Sequence, residues 1–216
     1  MEIFVINLKH RKDKLEKFLA NLPSILSNEK INIFEAIDGS KYNIPKWFDV
    51  TNSKEGISGN YGCYLSHLEI IKNIHSSTLI FEDDALFSED FNEKYKQSVE
   101  YIHNLNYDLF YLGGYNNKQP TIIDKRNSIY RCSCTHRTHA YIVSDKDTAK
   151  NIELLLTDTK LWHKFLLKQR YHIDHFYGKL QQHEIIKCYC IQPYICGQDE
   201  YYTSDVTPKG YLPIRW

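Results

Sequence analysis

The sequence predicts an α/β layer fold with a mixed, mainly parallel sheet and flanking helices, and three observations lead there. Short runs rich in Ile, Val, Phe and Leu recur along the chain: EIFVINL over 2–8, TLIF over 78–81 and DLFYL over 108–112. Segments with apolar residues at helical spacing lie between them, such as Leu15, Phe18, Leu19 and Leu22. The 216 residues, 42% of them hydrophobic, suffice for one domain that buries its own core.

Taken in order, the strand over 2–8 leads into a helix that stops near Pro23. A short strand over 31–36 runs to Asp38-Gly39, and residues 40–60, with Pro45, Gly56 and Gly59, read as irregular. Leu65, Leu68, Ile71 and Ile74 predict a helix over 63–74. The strand over 78–81 ends in three carboxylates, Glu82-Asp83-Asp84. A helix over 91–104 follows, then the strand over 108–112, closed by Gly113-Gly114. The second half reads as strands over 129–133 and 139–143, helices over 145–156 and 160–169, and a loop or helix over 171–180. A strand over 185–192 then stops at Pro193, and a polar, aromatic tail fills 197–216. In such sheets ligands bind at the carboxyl ends of strands, which directs attention to Glu82-Asp83-Asp84.

Charge narrows the function classes. Lys plus Arg and Asp plus Glu both number 27, so the chain lacks the basic excess of a phosphate-neutralising nucleic-acid binder. The balance is uneven along the chain. Residues 1–108 carry 12 basic and 17 acidic side chains, and residues 109–216 carry 15 and 10. From Glu82 to Glu93 six acidic residues occur with no base between them. No apolar run approaches a membrane span, and the N-terminus lacks the layout of a signal peptide. The six cysteines form no C-x-x-C pair; Cys132/Cys134 and Cys188/Cys190 are C-x-C, and the expectation is reduced thiols. The expected location is cytoplasmic, soluble or peripherally membrane-associated.

Three consecutive carboxylates at the end of a buried strand repel one another, and each raises its neighbours' pKa unless a cation stands near. A divalent metal relieves that repulsion, and an oxygen-only ligand set suits Mg²⁺ or Mn²⁺. Glu82 and Asp84, at i and i+2, fall on one side of an extended chain. The plainer reading is a solvent-facing acidic turn. A metal-dependent phosphoryl-transfer enzyme would use the same site type.

Four motifs together resemble glycosyltransferase family 25. They are Ile6-Asn7-Leu8 followed by Arg11; Ala36-Ile37-Asp38-Gly39; Gly62-Cys63-Tyr64-Leu65-Ser66-His67; and Phe81-Glu82-Asp83-Asp84-Ala85. Thr138-His139-Ala140-Tyr141-Ile142-Val143-Ser144, Asp174, Pro193 and Gln198 extend the likeness. One departure is Lys9-His10-Arg11-Lys12, where the family usually has an acid and two arginines.

The resemblance implies a GT-A fold over 1–216, with a nucleotide-binding half near 1–115 and an acceptor-side half near 116–216. It implies transfer of galactose or a related hexose from a UDP-sugar, with inversion, to a hydroxyl of a glycan, lipooligosaccharide or glycoprotein. Under it, Glu82 and Asp84 hold Mn²⁺ or Mg²⁺, and Asn7, Arg11, Asp38, Gly62, Ser66, His67 and Asp83 contact the nucleotide-sugar. Asp174 is the candidate general base. Simpler readings stand beside these: an exposed helix charge for Arg11, a turn for Asp38-Gly39, a packed core histidine for His67 and an N-cap for Asp174. A catalytically silent binding module of the same fold is the other alternative. His136/His139 and His172/His175 have H-x-x-H spacing, weak evidence for zinc, and one of them is a candidate third metal ligand. Aromatic side chains, with Tyr201, Tyr202 and Trp216 in the tail, are candidates for stacking on sugar or covering the donor.

Overall fold

The computed structural model describes residues 1–48, 56–166 and 172–199. In chain order its elements are β1 (Glu2–Asn7), α1 (Lys12–Ala20), β2 (Ile31–Glu35), α2 (Ile57–Lys72), β3 (Thr78–Glu82), β4 (Ala85–Phe87), α3 (Phe91–Ile102) and β5 (Leu109–Asn116). They continue with β6 (Thr121–Asp124), β7 (Ile129–Arg131), β8 (Thr135–Val143), α4 (Lys146–Thr157), α5 (Thr159–Leu166), α6 (Ile173–Gln182), β9 (Cys188–Ile191) and β10 (Cys196–Gln198).

Eight strands form one sheet in the order β2-β1-β3-β8-β5-β9-β7-β6. β1 pairs in parallel with β2 and β3, and β5 with β9. β8 lies antiparallel between β3 and β5, and β7 antiparallel between β9 and β6. The sheet is therefore the mixed, mainly parallel Rossmann type that the sequence predicts.

Alternate side chains explain why its strands read as unbroken apolar runs. Ile6, Ile80, Leu109, Tyr111, Tyr141 and Val143 pack on one face, beneath α2, α4, α5 and α6. Ile3, Val5, Leu79, Phe81, Phe110, Leu112, Ala140 and Ile142 pack on the other, beneath α1 and α3. A sheet covered on both faces leaves no polar stripe. Trp162 stacks on Phe176 at 4.2 Å and meets Trp47 and Tyr64 edge-on. Trp162, on α5, is fully buried, and Trp47 packs on this cluster from the turn near residue 47.

The elements differ from the sequence reading where long-range pairing decides. β5 runs through Gly113-Gly114 to Asn116 because β8 begins early enough to pair with it at Tyr115↔His136 and Asn116↔Thr135. β4 and β10 form a separate two-stranded ladder joining segments that read as a loop and a tail. Segment 171–180, left as loop or helix, holds α6 from Ile173 onward. Residues 167–169 of the expected 160–169 helix, and Tyr201, Tyr202 and Trp216, lie outside the described residues.

Helix α2 starts at Ile57, well ahead of residue 63, from Gly56 in the left-handed region (φ 75°). Its second turn touches backbone. A side chain on Gly62 would meet Ile37 O at 2.4 Å and Gly39 N at 2.8 Å. Ser66 fixes the same contact: its hydroxyl donates to Gly62 O (2.7 Å) and accepts from Ile37 N–H (2.8 Å). Gly62→Ala is expected to destabilise the fold by about 1–3 kcal/mol through overpacking against immobile backbone. Urea unfolding checks this, as a lower midpoint at unchanged slope.

Candidate active site

β3 ends in Glu82 at the centre of the sheet, and sheet geometry decides its surroundings. Two residues beyond Ile80, its side chain faces the α2 side. His67, nearly three turns into α2, is buried there, with Nε2 3.3 Å from Glu82 Oε1 and Nδ1 2.9 Å from the Tyr141 hydroxyl. Because β8 runs against β3, its first residues arrive at the carboxyl ends of the parallel strands. Thr138 thereby donates its hydroxyl to Glu82 Oε1 at 2.7 Å. Burial works against the charge on Glu82, but the bonds from His67 and Thr138 prevail and hold its pKa down at about 2. Both bonds fall on Oε1 and leave Oε2 to accept a ligand.

Asp83 turns toward α1. Its Oδ2 accepts from Asn7 Nδ2 at 2.7 Å, and Lys14 Nζ stands 3.7 Å from Oδ1. Asn7 also donates to Arg11 O at 2.9 Å, which ties the end of β1 to the start of α1. Burial raises the Asp83 pKa, opposed by Lys14 and Asn7.

Asp84 differs from both. Its backbone oxygen accepts from Asp199 N–H at 2.8 Å, across the β4–β10 ladder. Its side-chain Oδ1 is buried without a hydrogen-bond partner among the described residues. Burial first, and Glu82 second, push its pKa up to about 7. An orphaned carboxylate oxygen beside an ionised carboxylate fits a hard divalent cation, which answers both the repulsion and the missing partner.

A second group of residues converges from the other half of the chain. Asp174, in the first turn of α6, accepts from Arg137 N–H at 2.9 Å through Oδ2 and from His175 N–H at 2.8 Å through Oδ1. Arg137 adopts the left-handed region (φ 71°), a conformation that points its N–H at Asp174. Its guanidinium donates to Gln198 Oε1 at 2.7 Å, and Gln198 opposes the rise of the Asp84 pKa. The Cys63 thiol lies within 4.8 Å of ligand atoms of His67 and Glu82, and burial, then Glu82, Asp174 and Asp84, push its pKa up. Glu82, Asp84 and Asp174 therefore border one region.

The remaining candidates sit around it differently. Arg11 bonds Asp13 (Nε to Oδ1, 3.3 Å) and also lowers the Asp83 pKa. Asp38 caps a short turn, accepting from Ser40 N–H (3.0 Å) and its hydroxyl (2.6 Å). Gly62 and Ser66 build the backbone contact between α2 and the Asp38 loop, and His67 lies beneath Glu82 rather than at the surface.

Sequence reasoning did not single out Cys63, Lys14, Thr138, Arg137 or Gln198 as site residues. Cys63 and Lys14 carry a helical signal, four residues before His67 and three after Arg11. Thr138 and Arg137 depend on where β8 inserts.

The sequence pattern of glycosyltransferase family 25 (LPS biosynthesis protein) matches residues 1–193. Procollagen galactosyltransferase 2 of Mus musculus is 33% identical over 129 residues, covering 52% of this chain and 20% of that protein. The procollagen lysyl hydroxylase and glycosyltransferase of Acanthamoeba polyphaga mimivirus is 34% identical over 131 residues, covering 50% and 14%. The inactive glycosyltransferase 25 family member 3 of Homo sapiens is 30% identical over 129 residues, covering 52% and 21%. The matched region thus spans about a fifth or less of these relatives' length. With nearly the whole chain inside the family pattern, this chain belongs to glycosyltransferase family 25.

Proposed function

We propose that the protein transfers a hexose, galactose or a close relative, from a UDP-sugar to an acceptor hydroxyl on a glycan, lipooligosaccharide or protein, with inversion. The observation that carries this reading is the buried Oδ1 of Asp84, without a partner among the described residues, beside Glu82 at the carboxyl end of β3. Glu82 and Asp84 are the residues that would hold Mn²⁺ or Mg²⁺. Such an ion, when bound, neutralises charge that develops on the departing diphosphate.

The other roles follow from placement. His67 and Thr138 keep Glu82 ionised and fix its orientation. Asn7 and Lys14 orient Asp83, which faces α1, where Arg11 would meet the nucleotide, while the Asp38 loop would meet it from the α2 side. Asp174 is the general base: each oxygen accepts one backbone N–H, which orients the carboxylate and leaves lone pairs for the acceptor hydroxyl's proton. The hydroxyl oxygen then bonds to the anomeric carbon as the bond to UDP breaks on the opposite face. Arg137 joins Asp174 to β10, through its N–H to Asp174 and its guanidinium to Gln198.

One relative is named inactive, which favours a second reading: a binding module that holds a nucleotide-sugar without turnover. UDP release separates the two. A panel of UDP-sugars with acceptors yields UDP from the enzyme and none from the module.

UDP with Mn²⁺ at about 100 times its Kd is expected to stabilise the protein by about 2.7 kcal/mol, seen as a raised Tm. Asp84→Asn is expected to abolish that shift; a shift of equal size in the variant excludes Asp84 as a ligand. Asp174→Asn is expected to keep the UDP–Mn²⁺ shift and to lower kcat by about 10²–10⁴-fold. Single-turnover transfer measures this, and an unchanged rate removes Asp174 from the role of base.

A further inference from the structure

Beside Asp174 stands a group of side chains that the transfer reaction leaves unused. His136 enters from β8, and Asp174 and His175 from the first turn of α6. One potential ligand atom from each of the three lies within 4.8 Å of the other two. The imidazoles of His136 and His175 approach to 4.4 Å between centroids, and those of His172 and His175 to 4.9 Å.

The surroundings hold these groups in place. Cys134 Sγ lies 3.3 Å from His136 Nε2 and also receives Gln182 Nε2 at 2.7 Å. His172 Nε2 is 3.3 Å from Asn60 Nδ2. Gly178 makes room for the His136 ring: a side chain there would meet its Cδ2 at 2.8 Å and Nε2 at 2.9 Å. Backbone N–H groups fix both oxygens of Asp174, and each oxygen retains a lone pair.

Two imidazoles and one carboxylate, with His136 and Asp174 held by outer partners, make a donor set unlike the oxygen-only carboxylates of Glu82 and Asp84. Mixed nitrogen and oxygen ligands of this kind select Zn²⁺ and other late first-row ions over Mg²⁺ or Mn²⁺.

We propose that His136, Asp174 and His175 form a second metal site, for Zn²⁺ or a related transition metal, separate from Glu82 and Asp84. The consequence for turnover rests on Asp174 being the base: an ion bound there occupies the lone pairs that would accept the proton, so Zn²⁺ inhibits transfer.

Titration with Co²⁺ and with Zn²⁺ alone tests the site without reference to activity. One equivalent of Co²⁺ is expected to give a visible absorption band that Zn²⁺ displaces. His136→Gln and His175→Gln, made separately and checked for folding by thermal unfolding, are each expected to weaken Zn²⁺ binding at least about tenfold. Asp84→Asn is expected to keep the band. Absence of the band in the unaltered protein, its survival in both histidine variants, or its loss in Asp84→Asn alone would overturn the proposal. Zn²⁺ bound at the histidines with transfer undiminished would leave the site standing and remove Asp174 as the base.

Discussion

Keeping a charge on Glu82 inside the sheet is the constraint on which the site depends. A carboxylate at the end of a central strand loses water on both sides, and its ionised form survives only if the protein supplies donors. Here those donors are a buried imidazole from α2 and a hydroxyl from β8. Both reach Oε1, and the imidazole stands at ion-pair distance, so hydrogen bonding and the charge interaction with His67 together favour an ionised Glu82. Its negative charge remains for a ligand, and it reaches Asp84 and Cys63, whose acidities it suppresses. Lysine is spent instead on Asp83, the member of the triplet that turns away.

The same constraint accounts for the mixed sheet. A purely parallel order would place β5 or another strand beside β3 with its carboxyl end at Glu82, bringing only the start of the next loop. An antiparallel β8 brings the amino end of a long strand. Thr138 reaches Glu82, Arg137 reaches Asp174 and Gln198, and His136 lies against α6. The charge asymmetry along the chain thereby becomes local: acids from the first half meet Arg137 and the histidines of the second.

Much of this is legible in the sequence, and the division has a physical cause. β1, β3 and α3 are readable because their apolar runs or helical spacing are local properties, and the triplet Glu82-Asp83-Asp84 stands at a strand end that those runs define. Asp174 and the H-x-x-H pairs are visible as residues, but their convergence is not. Gly56 and Gly59 hide the early start of α2, since their usual reading is a loop, whereas Gly56 takes the left-handed turn that opens the helix. β4 and β10 are three residues each and exist only as partners of one another. Thr138 and Arg137 owe their places to the strand order, which no local pattern encodes.

The insertion of β8 also governs how the chain can be made. During synthesis β1, β2 and β3 emerge first and pair among themselves, and β5 follows, but β3 and β5 are not neighbours. Until residues 135–143 have left the ribosome, both strands carry open edges of buried, strongly apolar sequence. A nascent chain that pauses in this interval exposes the very strands that later form the centre of the sheet, when they are most prone to wrong pairing. β8 then joins these two edges and delivers Thr138 to Glu82, while the other edge of β5 stays open until β9 follows. The centre of the sheet is thus joined before α6 and β10 bring Asp174 and Gln198 alongside it.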